Sequence, residues 1–140
     1  TRAWTFWSSQ ALSWVSKVSP IRDASFVNVD VSNKLFLGSY GTVTQATSIT
    51  TGVTLNTKRG VITTFDPALA AAAEQEFVVT NSECHAGDVV VISVGSGPSD
   101  NEHVMAFVSA VSEGSFSIVI SNLATTNQAD GAMAINFAII

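Results

Sequence analysis

The side chains with the strongest metal-binding chemistry belong to Cys84, His85, Asp88 and His103. A zinc site needs three or four such ligands converging on one point, usually supplied as short-spaced pairs. Cys84 and His85 are adjacent, so on a strand their side chains would point to opposite faces. We therefore predict a semi-buried thiol and a surface histidine beside a turn, with no metal site and no cofactor.

Side chains that could act as nucleophiles or as acid–base catalysts are present, but not in catalytic patterns. The Gly-Ser-Gly stretch at 95–97 lacks the spacing and the strand–turn–helix context of a nucleophile elbow. The carboxylate pairs Glu74 with Glu76 and Asp100 with Glu102 fall at predicted turns, whereas glycoside hydrolysis needs two carboxylates across a cleft. We predict a protein that is not an enzyme. A small hydrolase would require both histidines and an acid to meet in one pocket.

Charge, cysteine content and hydropathy argue against nucleic acid and membrane as partners and against an internal disulfide. The net charge is −5, and the six basic residues are scattered along the chain, which disfavours nucleic-acid binding. The one adjacent basic pair, Lys58-Arg59, precedes Gly60 and is predicted to be a solvated hairpin tip, with a contact to a phosphate or an anionic surface as the alternative. A single cysteine excludes an internal disulfide. The most apolar stretches, 89–94 and 104–110, are far shorter than the ~20 residues of a membrane-spanning helix, so we predict no membrane partner.

The N-terminal segment differs in composition from the rest of the chain. All three tryptophans lie in residues 1–22, and apolar residues follow Ser8 or Ser9 at helical spacing until Pro20. The segment is either a short amphipathic helix packed on its own domain or an aromatic arm that docks on a neighbouring subunit. Indole rings are enriched at interface hot spots. The predicted assembly contacts are Trp4, Phe6, Trp7 and Trp14.

The remaining sequence is dominated by alternating apolar and polar residues. We divide the chain into an N-terminal arm or short helix, 1–24, and a β-sandwich domain, 25–140. Many short strands separated by turn residues predict an all-β, sandwich-like or jelly-roll-like domain. Residues 57–60 and 111–115 are predicted hairpin turns, and 95–101 a longer loop. The predicted strands are 26–31, 35–37, 42–46, 52–56, 61–65, 76–80, 88–94, 103–111, 115–121 and 132–140.

One helix is predicted inside the β-domain, as a connector over 66–74. Asp66 can cap it, Pro67 suits its first position, and the alanines that follow have the highest helix propensity. The run is short, so we expect about two turns between strands.

The segment 41–64, Gly-Thr-Val-Thr-Gln-Ala-Thr-Ser-Ile-Thr-Thr-Gly-Val-Thr-Leu-Asn-Thr-Lys-Arg-Gly-Val-Ile-Thr-Thr, resembles a β-rich module of tailed-bacteriophage virion proteins. The resemblance covers residues 41–140 and leaves the first 40 outside. The Cys84-His85 and Lys58-Arg59 pairs are not features of the module. Further stretches that carry the resemblance are 77–82, 88–91, 108–118 and 135–140.

The resemblance implies a structural protein located in the virion. Such modules occur in head-decoration proteins and in tail or fibre components. A small chain with one globular domain and an aromatic N-terminal segment is similar to decoration (cement) proteins, which commonly sit as trimers on the shell. We therefore expect a capsid-surface location, with the major capsid protein and copies of the chain itself as partners, as a homotrimer. The alternative is a tail-associated module that binds a receptor or glycan through the polar loop 96–102.

Overall fold

The computed structural model describes residues 38–66, 68–97 and 103–140. All regular structure in this part of the chain is β, which confirms the all-β prediction there. The predicted strands at 26–31 and 35–37 and the N-terminal segment lie outside the described residues. The eight strands are β1 (Tyr40–Thr44), β2 (Val53–Thr54), β3 (Arg59–Thr63), β4 (Glu74–Thr80), β5 (Val90–Ser96), β6 (Val104–Ser112), β7 (Ser115–Asn122) and β8 (Ala134–Ile139).

The strands form two four-stranded sheets with the orders β1-β3-β8-β5 and β2-β4-β7-β6. Successive strands from β1 to β6 alternate between the sheets, so β1 pairs with β3 in parallel and β2 pairs with β4 in parallel. The remaining pairs are antiparallel. The tight hairpin predicted at 111–115 is confirmed, because β6 pairs with β7 up to Ser112 and Ser115.

The hairpin predicted at 57–60 is wrong, because β2 and β3 belong to different sheets. The segment between them is held by side-chain hydrogen bonds to the loop after β4. Asn81 Nδ2 donates to the Thr57 carbonyl at 2.8 Å, and Asn56 Oδ1 accepts from the Ser82 N–H at 2.9 Å. These contacts direct the chain across the domain, where Arg59 begins β3, instead of back along β2.

The two sheets share one hydrophobic core, as in a β-sandwich. The inward positions alternate along each strand, as the period of two requires. The rings of Phe116 on β7 and Phe137 on β8 meet between the sheets, with centroids 5.4 Å apart. Burial of such a side chain stabilises the fold by about 1.5–3 kcal/mol. The largest fully buried apolar side chains are Phe77, Phe116, Ile62, Ile118, Ile120, Met133, Ile135 and Val79.

The helical connector predicted over 66–74 does not form in the described residues 66 and 68–74. Leu69 instead exchanges two backbone hydrogen bonds of 2.8 Å with Ala129, and Asp66 accepts from the Gly131 N–H in place of capping a helix. The buried side chain of Asn122 donates to the carbonyls of Leu69 and Ala70. Tertiary hydrogen bonds thus override the helix propensity of the alanines.

A candidate assembly surface

The strands β5 and β6 are the edge strands on the same side of the two sheets and lie next to each other. Within the described residues, β5 pairs with β8 alone and β6 pairs with β7 alone. Each strand therefore presents one row of backbone N–H and C=O groups to its surroundings. We call these two strands together the β5–β6 edge.

Large apolar side chains are exposed along the β5–β6 edge. Met105 and Phe107 on β6 are 44% and 39% exposed, and Val91 on β5 is 50% exposed. Val89, immediately before β5, is also exposed. Single exposed apolar residues are ordinary, but Met105 and Phe107 lie two positions apart on the outer face of the β2-β4-β7-β6 sheet and form a small apolar patch. Val91 lies on the outer face of the other sheet.

The β5–β6 edge lacks two of the devices that normally prevent edge strands from pairing with other chains. Such devices are charged side chains, especially lysine, and proline. The sequences of β5 and β6, VVISVGS and VMAFVSAVS, contain no charged residue and no proline. Each strand does contain a third such device, a break in register, between Val94 and Ser96 in β5 and between Val108 and Ala110 in β6.

Carboxylates lie on the outward face of the same sheet, two strands away from β6. Phe107 is in register with Val119 on β7, which is in register with Glu76 on β4. The Ser109 hydroxyl, at the irregularity in β6, donates a hydrogen bond to Glu76. Glu74 faces outward on the same strand and is exposed. The uncharged edge is therefore bordered by acidic residues on the face of the sheet.

Sequence reasoning did not single out the β5–β6 edge, although one signal was present. Residues 104–108 are an unbroken apolar run, Val-Met-Ala-Phe-Val. A strand that is solvated on one face alternates apolar with polar residues, so a continuous run indicates that both faces are covered. The position of the strand at an edge depends on strand order, which the sequence pattern does not encode.

A second cluster of polar residues surrounds the loop after β4. Lys58 Nζ donates to the Glu83 carbonyl at 2.6 Å and lies 3.8 Å from Asp88 Oδ2. The imidazole of His85 lies between two carboxylates, with Nδ1 at 3.7 Å from Asp88 Oδ2 and Nε2 at 4.0 Å from Glu113 Oε1. Lys58 is thus half-buried in this cluster, and the predicted solvated tip is wrong.

The electrostatics of this cluster favour ionised Asp88. The backbone N–H of His85 donates to Asp88 Oδ2 at 3.0 Å, and this hydrogen bond, with the charge of Lys58, lowers the pKa of the carboxyl. The thiol of Cys84 is fully buried and donates to the Ser115 carbonyl. Burial raises the pKa of that thiol, so it is a poor nucleophile.

The other basic residue of the pair, Arg59, is also not at a hairpin tip. It is the first residue of β3 and pairs with Tyr40 on β1 and Ala138 on β8. Its guanidinium lies 5.7 Å from the centroid of the Tyr40 ring, within the range of a cation–π contact. The pair therefore belongs to the packed part of the domain.

The structure does not bring the four metal-ligand candidates together. His103 precedes β6, whereas the His85 side chain lies near Glu113, after the end of β6. A nine-residue strand separates these positions by about 30 Å. No group of three or more His, Cys, Asp or Glu side chains suited to a metal ion occurs among the described residues.

The remaining predicted site residues are placed only in part. Ser96 ends β5, and Glu74 and Glu76 lie on β4, not at a turn as predicted. Asp100 and Glu102 lie outside the described residues, as do the predicted interface residues Trp4, Phe6, Trp7 and Trp14.

Comparison of the chain with family models, curated proteins and solved structures finds no match. The described part of the chain contains no helix with the length and hydropathy of a membrane-spanning segment.

Proposed function

We propose that this chain is a non-enzymatic structural protein of a phage virion, a decoration or cement protein that stabilises the head shell. The sequence resemblance over residues 41–140 names the class of protein. The structural observation that supports an assembly role is the uncharged β5–β6 edge with exposed Val91, Met105 and Phe107. Its partners are the major capsid protein and copies of itself, as a homotrimer.

The proposed mechanism is burial of apolar surface at several contacts for each copy. When one assembled unit holds several shell subunits at once, modest individual contacts sum through effective concentration. Apolar and aromatic side chains supply most of the free energy of such contacts. On this basis, Trp4, Phe6, Trp7 and Trp14 are the proposed anchors on the shell, and the β5–β6 edge is a second contact region.

Deletion of residues 1–19 tests the anchors directly. We expect the truncated protein to bind empty shells with much lower affinity, because the three tryptophans are lost. The measurement is saturation binding to purified shells, with the full chain as control and circular dichroism to verify the β-domain. Unchanged affinity and stoichiometry would show that the anchors lie elsewhere.

The copy number in the virion tests the location. A shell protein is present in hundreds of copies, and a tail component in a handful. Quantitative mass spectrometry of purified virions, with the major capsid protein as internal reference, gives this number. A count of a few copies would contradict the decoration role.

A jelly-roll-like topology is a more specific prediction than the two-sheet arrangement described above. Two four-stranded sheets around one core favour it. The parallel pairs β1–β3 and β2–β4 are against it, because jelly rolls are built from antiparallel strands.

A second candidate function is recognition of a glycan by a tail-associated module. Tyr40 is 58% exposed on the outward face of β1, beside the hydroxyls of Thr42 and Thr44. An aromatic ring next to polar groups suits a sugar, which has apolar and hydroxyl faces. A glycan-array signal that is lost in Y40A would favour this function, and its absence would remove the support that Tyr40 gives.

A further inference from the structure

We infer that the β5–β6 edge pairs through the main chain with an edge strand of a second copy of this chain, in a head-to-tail contact that three copies can close into the proposed homotrimer. The inference rests on the assembly role proposed above and specifies a second copy as the partner of the β5–β6 edge. It assigns the self-association to Val90–Ser96 and Val104–Ser112 and not to the aromatic N-terminal segment.

The length of the edge suits a stable contact. β6 has nine residues, so its open side extends for about 30 Å. A standard protein interface buries about 800 Å² on each partner, which is a patch about 30 Å across. The edge therefore matches such a patch in length, and the exposed Met105 and Phe107 widen the contact on the outer face of β6.

Charge favours a second copy at an uncharged edge over the acidic parts of the surface. The opposite edge, β1 and β2, is also uncharged, but its strands have only five and two residues, against seven and nine in β5 and β6. Each chain carries a net charge of −5, so two copies repel one another wherever acidic surfaces face. The strands β5 and β6 carry no charge, so copies that meet there bury no ionised side chain of these strands. Burial of an unpaired charge would cost far more than the contact gains.

The mode of contact follows from the position of the carboxylates. Stacking of the outer faces of two β2-β4-β7-β6 sheets would set Glu74 and Glu76 of one copy against the same residues of the other. Pairing through the edge keeps these side chains at the border. The open N–H and C=O groups of one strand are satisfied by those of the other, as in strand addition.

The experiment compares lysine substitutions at the edge with a matched lysine on the sheet face. M105K and F107K place a charge on β6, and V91K places one on β5. V78K is the control, because Val78 is 46% exposed and Met105 44%, but Val78 lies on the internal strand β4. The association constant of the full chain is measured by sedimentation velocity over a range of concentrations.

We expect the wild type and V78K to associate equally, and the edge variants to have a dissociation constant at least roughly tenfold higher. Circular dichroism and thermal melting verify folding of each variant, and M105T replaces M105K if the lysine prevents folding. A monomeric wild type would overturn the inference. So would edge variants that associate like the wild type, or a V78K variant as impaired as they are.

The result of the self-association experiment can be distinguished from the result of the shell-binding test of the proposed function. Shell binding is scored independently, by saturation of empty shells. If the edge variants become monomeric, self-association at the edge is supported even where the protein does not bind shells. If shells bind a wild type that is monomeric in solution, the decoration role stands and the edge inference fails.

Discussion

Asp88 links the loop after β4 to its surroundings through one carboxylate. Oδ2 accepts from the His85 backbone N–H and lies within 4 Å of both Lys58 Nζ and His85 Nδ1. The neighbouring Glu113 accepts from the Ala86 N–H at 3.1 Å, which ties the same loop to the β6–β7 turn. The sequence presented His85 and Asp88 as metal-ligand candidates, and the described structure gives them a stabilising role in the loop.

The lowered pKa of Asp88 predicts how the fold responds to acid. Its pKa in the folded protein lies below the ordinary value of 3.8, so folding favours the ionised form. The contribution to stability is therefore present above about pH 4 and is lost as the pH falls through the folded-state pKa. We expect D88N to lower the free energy of unfolding at pH 7 and to have a smaller effect near pH 3.

Urea denaturation of D88N and the wild type at both pH values measures this difference. Equal slopes with denaturant concentration are required for the comparison. A difference in unfolding free energy that is the same at pH 3 and pH 7 would mean that the charge of Asp88 is not the cause.

At the scale of elements, the sequence predicts the positions of the strands well but not which strands pair with one another in a sheet. All eight predicted strands from residue 42 onward overlap observed strands and start within two residues of them. Alternation of apolar residues is a local signal, and burial in one core enforces it. Sheet membership depends on distant hydrogen bonds, such as those of Asn81 and Asn56, which no local pattern reveals.

The failed helix over 66–74 shows the same limit and gives a prediction. The buried Asn122 side chain donates to the carbonyls of Leu69, Ala70 and Asn127, and accepts from the Ala124 N–H. Its replacement in N122A leaves several of these groups unsatisfied, at about 1–3 kcal/mol for each buried one. We expect a loss of about 2–4 kcal/mol in unfolding free energy.

Urea denaturation of N122A and the wild type measures this loss of unfolding free energy. The matched control is T125A, an exposed position in the loop that follows Asn122. The control should change stability by less than about 0.5 kcal/mol. A loss in N122A no larger than in T125A would show that the Asn122 hydrogen bonds do not hold the segment 69–73 in its non-helical path.

At the scale of the whole molecule, net charge and composition follow directly from the sequence, but the distribution of charged residues over the surface does not. The composition shows a low content of charged residues, 12%. Six of the eight strands contain no charged residue, β5 and β6 among them, whereas Glu74 and Glu76 lie on the outer face of the β2-β4-β7-β6 sheet. Strand order decides this distribution, and it turns a property of composition into a candidate surface.

This distribution predicts the effect of salt on self-association. Two copies with a net charge of −5 repel each other, while the proposed contact itself contains no ion pair between β5 and β6 residues. An increase in ionic strength from 0.1 M to 1 M shortens the Debye length from about 10 Å to about 3 Å and so screens the repulsion. We expect the dissociation constant, measured by sedimentation velocity, to fall as sodium chloride is added. A contact made by ion pairs would weaken instead, so a rising dissociation constant would place self-association on a charged surface and not on the β5–β6 edge.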